Sequence, residues 1–360
     1  MIKPMKKTLE QLYKEHTGKL SDKWSLYLTE YDRLFAPSTS RPIQLLEIGI
    51  QNGGSLEIWS RYFPNARKIV GCDIDPKCAA LQYRSSRIGI VIGDANSDDC
   101  ESKILQHASA FDIIIDDGSH ISGDIVRSFV RYFPHLEESG IYVAEDLHSS
   151  YWSNFEGGLH HPLSAMSFFK RLADIINQEH WRNHTDAREL VARFGEEYGA
   201  TFEGLDFSKI HSIEFINSLC VIKKDSPEKN ILGKRVIVGK DEGVTNGVRK
   251  YDGTLIQSVP VEVKDDGNLD VFELVALAQS SSHLKLAKEI KDKEQVIQTL
   301  TTDMAEKVQT VRGLTAQLDQ TRNEVEQLKA EVLRFALSRS WIMTRPVRKV
   351  MQWMGRRKNA

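Results

Sequence analysis

The chain has 360 residues, 41% of them apolar, with 48 Lys and Arg against 50 Asp and Glu. Neither Gly (23) nor Pro (10) is in excess, and the four cysteines fall at no metal-ligand spacing. This excludes a wholly disordered chain, a collagen-like fibre and a disulfide scaffold, and leaves one large domain or two modest ones. Cys72, Cys78, Cys100 and Cys220 read as buried, reduced thiols of a cytosolic protein. The N-terminus is basic but lacks the apolar core of a signal peptide, and no stretch reaches the ~18 apolar residues of a spanning helix. A cytoplasmic chain that does not cross a membrane is expected.

Residues 1–40 read as an N-terminal helical segment. Within 41–225, short runs rich in Ile and Val alternate with helix-like stretches. The runs are Leu45–Ile48, Lys68–Cys72, Gly89–Ile92, Asp112–Ile115 and Ile141–Ala144. Such alternation predicts an α/β fold with a parallel sheet covered on both faces. A helix between Pro162 and Ile176 continues the order. The runs Ser212–Ile216 and Leu219–Lys223, split by Asn217-Ser218, predict a closing hairpin. The expected sheet is Rossmann-like, with seven strands and an antiparallel last pair. That hairpin is unusual in dinucleotide-binding folds and fits a methyltransferase-like sheet. Residues 226–270 read as a linker or a small β element.

Beyond them the pattern changes. Ile290, Ile297, Met304, Val311, Leu318, Val325 and Val332 recur every seven residues. Three places after each stand Lys293, Leu300, Lys307, Leu314, Thr321, Leu328 and Phe335. These are the a and d positions of a coiled-coil stalk, expected over 271–337, with a seam of ~70 Å. β-branched a positions with Leu at d lean towards a parallel dimer, and a trimer is the alternative. From Val332 onwards there are eight basic residues and no acidic one, leaving 40 basic and 50 acidic groups elsewhere. After Pro346, the residues Val347, Val350, Met351 and Met354 keep the spacing of one helical face, with Arg348, Lys349, Gln352 and Arg356 on others. Trp341 and Trp353 are of the type enriched at lipid interfaces. Residues 338–360 are therefore expected to form a basic amphipathic helix on an anionic membrane surface, or on a membrane-bound glycan-assembly protein. This would make the protein peripheral on the inner face of the cytoplasmic membrane.

The strand ends carry the chemistry. The first strand ends Leu46-Glu47-Ile48-Gly49 and runs on through Ile50-Gln51-Asn52-Gly53-Gly54-Ser55. A Gly-rich turn there lets the backbone approach a ligand. Its spacing is not the G-x-G-x-x-G that places a pyrophosphate on a helix N-terminus, which disfavours nicotinamide or flavin. The second strand ends at Asp73, placed to accept both ribose hydroxyls of an adenosine-containing cofactor. The third ends Gly93-Asp94-Ala95, where Asp94 could accept from an adenine amine. S-adenosylmethionine is the adenosine cofactor that needs no phosphate-gripping turn. The fourth strand ends Asp116-Asp117-Gly118-Ser119-His120 and the fifth Glu145-Asp146-Leu147-His148. Four carboxylates at one sheet edge would repel one another, which a hard cation such as Mg²⁺ resolves. Beside it, His120 suits proton removal from a hydroxyl near neutral pH.

DDGSH, followed by EDLHSSYW from Glu145 to Trp152, resembles the macrocin and mycinamicin type of sugar O-methyltransferase, a class I S-adenosylmethionine-dependent family. The likeness extends through ExGxxxGGS and DIDP, and more weakly to Thr17-Gly18-Lys19 and Asp22-Lys23. It covers roughly residues 15 to 225. The resemblance implies Mg²⁺ on Asp117, Glu145 and Asp146, and His120 as the general base. It implies S-adenosylmethionine on Glu47, Gly49, Asp73 and Asp94, with Gly53, Ser55, Ala95 and Asp116 beside them. The segment before the match leaves no room for the additional N-terminal domain of the macrolide enzymes. The heptad stalk is foreign to those enzymes. It resembles bacterial surface-polysaccharide (O-antigen) enzymes that carry a methylating head on a coiled-coil spacer.

The expected function is Mg²⁺-dependent O-methylation of a sugar hydroxyl on a lipid-linked bacterial surface glycan, a modification that would cap chain growth. The alternatives are a natural-product glycoside as acceptor, and a coiled-coil scaffold with a non-catalytic head. Segments around Phe155–Glu179 and Glu189–Tyr198 are expected to form the acceptor pocket. Nucleic acid is disfavoured as a partner, because the head is acidic and carries no basic–aromatic stripe.

Overall fold

The computed structural model describes residues 7–181, 186–255 and 271–356. Seven strands form one sheet: β1 Gln44–Ile48, β2 Lys68–Asp73, β3 Ile88–Ile92, β4 Phe111–Asp116, β5 Leu136–Ala144, β6 Ile210–Ile216 and β7 Leu219–Lys224. The order across it is β3-β2-β1-β4-β5-β7-β6. The first five are parallel, and β7 inserts antiparallel between β5 and β6. The hairpin turns at Asn217-Ser218, with Ser218 at φ 70°. All seven expected strands are present, within a few residues of their expected ends.

Because both faces are covered, strand side chains alternate between two cores. Leu45, Ile69, Ile113 and Val143 join one cluster with α1 (Leu9–Lys14), α2 (Ser25–Phe35) and α3 (Gly54–Tyr62). Aromatics dominate it: Tyr31 stacks on Phe35 at 5.0 Å and meets Trp59 edge-on. On the opposite face lie α4 (Asp98–His107), α5 (Ser122–Tyr132), α6 (Ala165–Ile175) and α7 (Ala187–Tyr198). There Phe129 of α5 meets Tyr142 of β5 and Phe168 of α6, and Phe168 meets Phe194 of α7. The apolar residues of α6 and α7 are thus spent on core. No described residue of 155–198 lines the large cavity, where these segments were expected to form the acceptor pocket. All four cysteines are buried and unpaired, Cys100 in α4 included.

Order reverses between β1 and β4. Chains leaving these two strands diverge and open a crevice at the carboxyl edge, where open α/β sheets bind ligands. Residues 226–255 hold two short 3₁₀ turns and no strand, and Val236 is exposed rather than part of a β element. The expected run around Val261 lies outside the described residues.

A second unit begins at Leu269. It contains α8 (Val271–Leu337), 67 residues without interruption, then α9 (Arg339–Met343) and α10 (Arg345–Arg356). Ile297, Leu300, Met304, Val311, Leu314, Leu318, Leu328 and Val332 are all exposed along α8. On α10, Val347, Val350, Met351 and Met354 are exposed too. The side chains of Trp341, Trp353 and Arg356, and the residues after Arg356, lie outside what is described. Among the described residues, no helix is long and apolar enough to cross a membrane.

Candidate active site

A cavity of about 820 Å³ occupies the crevice, a size suited to a cofactor and part of a substrate. Gly49, Ser55, Asp73, Asp94, Ala95, Asp116, Asp117, His120, Glu145 and Asp146 line it. Glu47 and Gly53 do not. Gly49 sits at φ +84°, and a Cβ there would fall 1.9 Å from the Asp117 carbonyl oxygen, so only glycine lets the two strand ends approach this closely. Gly53 opens α3 in the left-handed region, and its carbonyl accepts from Tyr83.

At the cofactor end, Asp73 is already employed. Oδ2 accepts the amides of Ile50 and Gln51 at 2.9 and 2.8 Å, and Oδ1 accepts that of Asp75 at 2.9 Å. A carboxylate has about four lone-pair sites. Oδ1, with one amide on it, is the less occupied oxygen and the one placed for a ligand hydroxyl. Among the described residues, Asp94 accepts from the Asn96 amide through Oδ1, at 2.9 Å. Asp116 is buried; that burial pushes its carboxyl up to about 7, against donation from Tyr142 and Gly118 that favours the charged form.

At the chemical end the sheet edge holds more than carboxylates. Lys23, from the segment before α2, reaches into the crevice and is almost fully buried. Its Nζ donates to Glu145 Oε1 at 2.7 Å and to Asp117 Oδ2, and lies 3.4 Å from Glu47 Oε1. Burial works against the charge, but Glu145, Asp117 and Glu47 together hold the ammonium well above its usual range. Glu145 is 2% exposed and also accepts from Tyr31 at 2.5 Å. Its burial pushes the carboxyl up to about 8 although Lys23 opposes this. One lysine serves three carboxyl groups, and burial that favours the protonated form of Glu145 and Glu47 makes up part of the missing positive charge. Asp22-Lys23 had figured only as the weak upstream part of the family resemblance, and nothing in its local pattern marks it as a site.

The outer layer faces the cavity. Asp117, His120 and Asp146 each present one ligand atom, all within 4.8 Å of one another. His120 Nε2 is 3.6 Å from Asp146 Oδ2 and 3.9 Å from Asp117 Oδ1. Asp146 Oδ1 accepts from Tyr27 at 2.7 Å and from the Trp24 indole at 3.1 Å. His120 and Asp146 both adopt left-handed backbone, at φ 58° and 53°. Such positions cost of order 1–3 kcal/mol and persist where surrounding contacts impose them. Here Ser149 Oγ holds the His120 carbonyl at 2.8 Å, and Tyr27 Oη accepts the Asp146 amide. The crevice thus brings together Asp117, His120 and Asp146, and Lys23 and Tyr31 draw Glu145 behind them.

No protein-family model matches the chain. It is 37% identical over 167 residues to 8-demethyl-8-alpha-L-rhamnosyl tetracenomycin-C 2'-O-methyltransferase of Streptomyces olivaceus, a match covering 44% of this chain and 43% of that protein. It is 36% identical over 174 residues to demethylmacrocin O-methyltransferase of Streptomyces fradiae, with the same coverage. Mycinamicin VI 2''-O-methyltransferase of Micromonospora griseorubida is 34% identical over 164 residues, 42% of this chain and 40% of that one. The chain thus spans less than half the length of these curated relatives. Among solved structures, the MycE methyltransferase of the mycinamycin pathway, in complex with Mg, SAH and mycinamycin VI, superposes with a TM-score of 0.51 at 25% identity. That match covers 62% of this chain and 55% of the other. The fold is that of a Rossmann-like methyltransferase. In this architecture the loops after β1, β2 and β3 form one end of the cavity, and those after β4 and β5 form the other.

Proposed function

We propose that the protein is a Mg²⁺-dependent O-methyltransferase that moves the methyl group of S-adenosylmethionine to a sugar hydroxyl of a glycoside. One observation carries this reading. A histidine and two carboxylates converge at one end of a cavity whose other end offers Asp73 and Asp94 to an adenosine. The donor set fits a hard divalent cation, because oxygen ligands predominate and the buried acids outnumber Lys23. Asp117 and Asp146 would hold the ion, with Glu145 supporting them from behind. When bound, it would supply Lewis acidity towards the acceptor hydroxyl.

The chain's own residues do the rest. Asp73 and Asp94 orient the nucleoside, Asp117 and Asp146 fix the acceptor's edge, and His120 Nε2 takes the hydroxyl proton as the oxygen attacks the methyl carbon, whose bond to sulfur breaks to leave S-adenosylhomocysteine. The relatives named above favour a natural-product glycoside as acceptor. A lipid-linked surface glycan is the second reading, favoured by the exposed heptad stripe of α8 and the cationic residues that follow it.

The test is incubation of the full chain with methyl-labelled S-adenosylmethionine, Mg²⁺ and mycinamicin VI or a rhamnosyl tetracenomycin. Label should enter the sugar, stop with EDTA and return with excess Mg²⁺. Transfer that ignores EDTA would reject the metal. Absence of S-adenosylhomocysteine binding by calorimetry would reject the methyltransferase reading altogether.

A further inference from the structure

We propose that Trp24 and Trp152, bridged by His148, form the platform on which the acceptor's pyranose ring lies. The inference rests on the sugar O-methyltransferase reading and names the surface that would give it an acceptor site.

Large aromatics of the head are mostly interior: Trp59, Tyr27, Tyr31 and Tyr62 are fully buried. Trp24 and Trp152 break this rule, at 60% and 49% exposed. Trp24 stands at the chemical end of the cavity, and Trp152 lies outside its lining, one imidazole away. Trp24 lines that cavity with His120 and Asp146, and its indole N–H donates to Asp146 Oδ1 at 3.1 Å. The His148 ring meets Trp24 edge-on, with centroids 6.1 Å apart, and Trp152 at 4.9 Å. Two indoles from distant parts of the chain are thus linked through one imidazole, next to the carboxylate that faces the proposed base.

The platform is held before any ligand arrives. His148 Nδ1 pairs with Ser218 Oγ at 2.6 Å, and Ser218 Oγ lies 2.8 Å from the Tyr27 hydroxyl oxygen. The Trp152 turn is fixed by its amide on Ser149 O and by the Gly157 amide on Trp152 O, at 2.9 and 3.0 Å. Exposed indoles fixed in this way forgo burial but lose little entropy on binding, as a preformed recognition surface requires. Trp24 caps α2 and Trp152 closes the turn after β5 through their backbones, which leaves the two exposed indoles outside the capping bonds.

The occupant follows from the chemistry on each side. An indole face is electron-rich and takes the slightly positive C–H face of a sugar ring. The rim of that ring is hydroxyl-bearing, and Asp146, His120 and the second nitrogen of His148 provide polar partners along one edge. A purely apolar occupant would leave those groups desolvated and unpaired. A pyranose laid on Trp24 satisfies both sides and brings a ring hydroxyl towards His120.

The experiment uses the full chain labelled with 5-fluorotryptophan, its ¹⁹F signals assigned with Trp24→Phe and Trp152→Phe. S-adenosylhomocysteine and Mg²⁺ are added, then methyl α-L-rhamnopyranoside and a panel of other methyl glycopyranosides are titrated in. The Trp24 and Trp152 signals should shift and saturate together, while that of buried Trp59 stays in place. Trp24→Ala and Trp152→Ala should each weaken sugar binding about tenfold, the scale of one lost aromatic contact. Their S-adenosylhomocysteine affinity should be unchanged, which also certifies the fold. Signals that stay put for every glycoside, or that move only with a sugar-free macrolactone, would overturn the platform while leaving the methyltransferase reading intact. Failure of the unsubstituted chain to bind S-adenosylhomocysteine would overturn both.

Discussion

Lys23 Nζ lies 2.7 Å from Glu145 Oε1, so a residue that precedes the sheet neutralises the carboxylate at the end of its fifth strand. Asp117 and Glu47 share the same ammonium. Removing one partner of a buried pair strands the others, at a cost of about 3–5 kcal/mol. Lys23→Met should therefore lower Tm by roughly 10 °C for a domain of this size. Adding Glu145→Gln to Lys23→Met should recover part of the loss, because the two changes act on one interaction. A Lys23→Met protein that melts with the parent would contradict the arrangement.

His120→Ala tests the base. With Nε2 gone, the imidazole left beside Asp146 is that of His148, 3.9 Å from Asp146 Oδ1 and tied through Nδ1 to Ser218 Oγ, whereas His120 also lies 3.9 Å from Asp117. Turnover should fall by about 10²-fold or more, the usual scale for a lost general base. S-adenosylhomocysteine affinity, measured by calorimetry, should not change. Equal kcat in the variant would reduce His120 to a neighbour of the site.

Most of this was legible beforehand. Seven strands followed from Ile- and Val-rich runs, because a strand buried on both faces must be apolar along its length. Asp73, Asp94, Asp117 and His120 followed from their places at strand ends. Lys23 was not legible as a site residue, since its partners lie 94 and 122 positions away and a lysine before a helix looks like any solvated one. Trp24 and Trp152 were equally silent, because exposure of an aromatic is a tertiary property. In α6 and α7 the buried Phe168, Phe169, Leu172, Val191 and Phe194 serve the core, and the residues of these helices carry no code for an acceptor.

Asp73→Ala should weaken S-adenosylhomocysteine binding by more than one lost hydroxyl contact. The same carboxylate receives the amides of Ile50, Gln51 and Asp75, so the glycine turn loses its anchor along with the ligand. Asp73→Asn keeps one acceptor oxygen and should fall between parent and alanine. Unchanged affinity for Asp73→Ala by calorimetry would remove Asp73 from the cofactor site.

Asp116 gives the pH dependence a sign. Its carboxyl sits at about 7 in the fold against an ordinary 3.8, with burial as the main cause. The native state therefore holds a proton that the unfolded chain has released, and stability falls as pH rises between these values. The stabilisation is complete below about pH 4 and gone above about pH 7. That difference corresponds to about 4 kcal/mol at most. Asp116→Asn, which cannot ionise, should lose less Tm than the parent between pH 5 and pH 8. Parallel curves for the two proteins would dismiss the effect.

The heptad helix makes the last prediction. Along α8 the a and d side chains Ile297, Leu300, Val311, Leu314, Leu318 and Leu328 are exposed in the single chain. Burying one such side chain is worth about 1.5–3 kcal/mol, and the seam repeats over several heptads. An isolated helix gains nothing from that stripe, whereas a second copy in register covers it. The full chain should therefore sediment as a dimer or trimer. Leu314→Glu with Leu318→Glu places two charges per chain in the seam and should shift the mass to that of one chain. The head, a separate unit ending at Asn268, should melt as before. An oligomer that survives both glutamates would assign assembly to another surface, and a parent chain that sediments as a monomer would leave the stripe for a different partner.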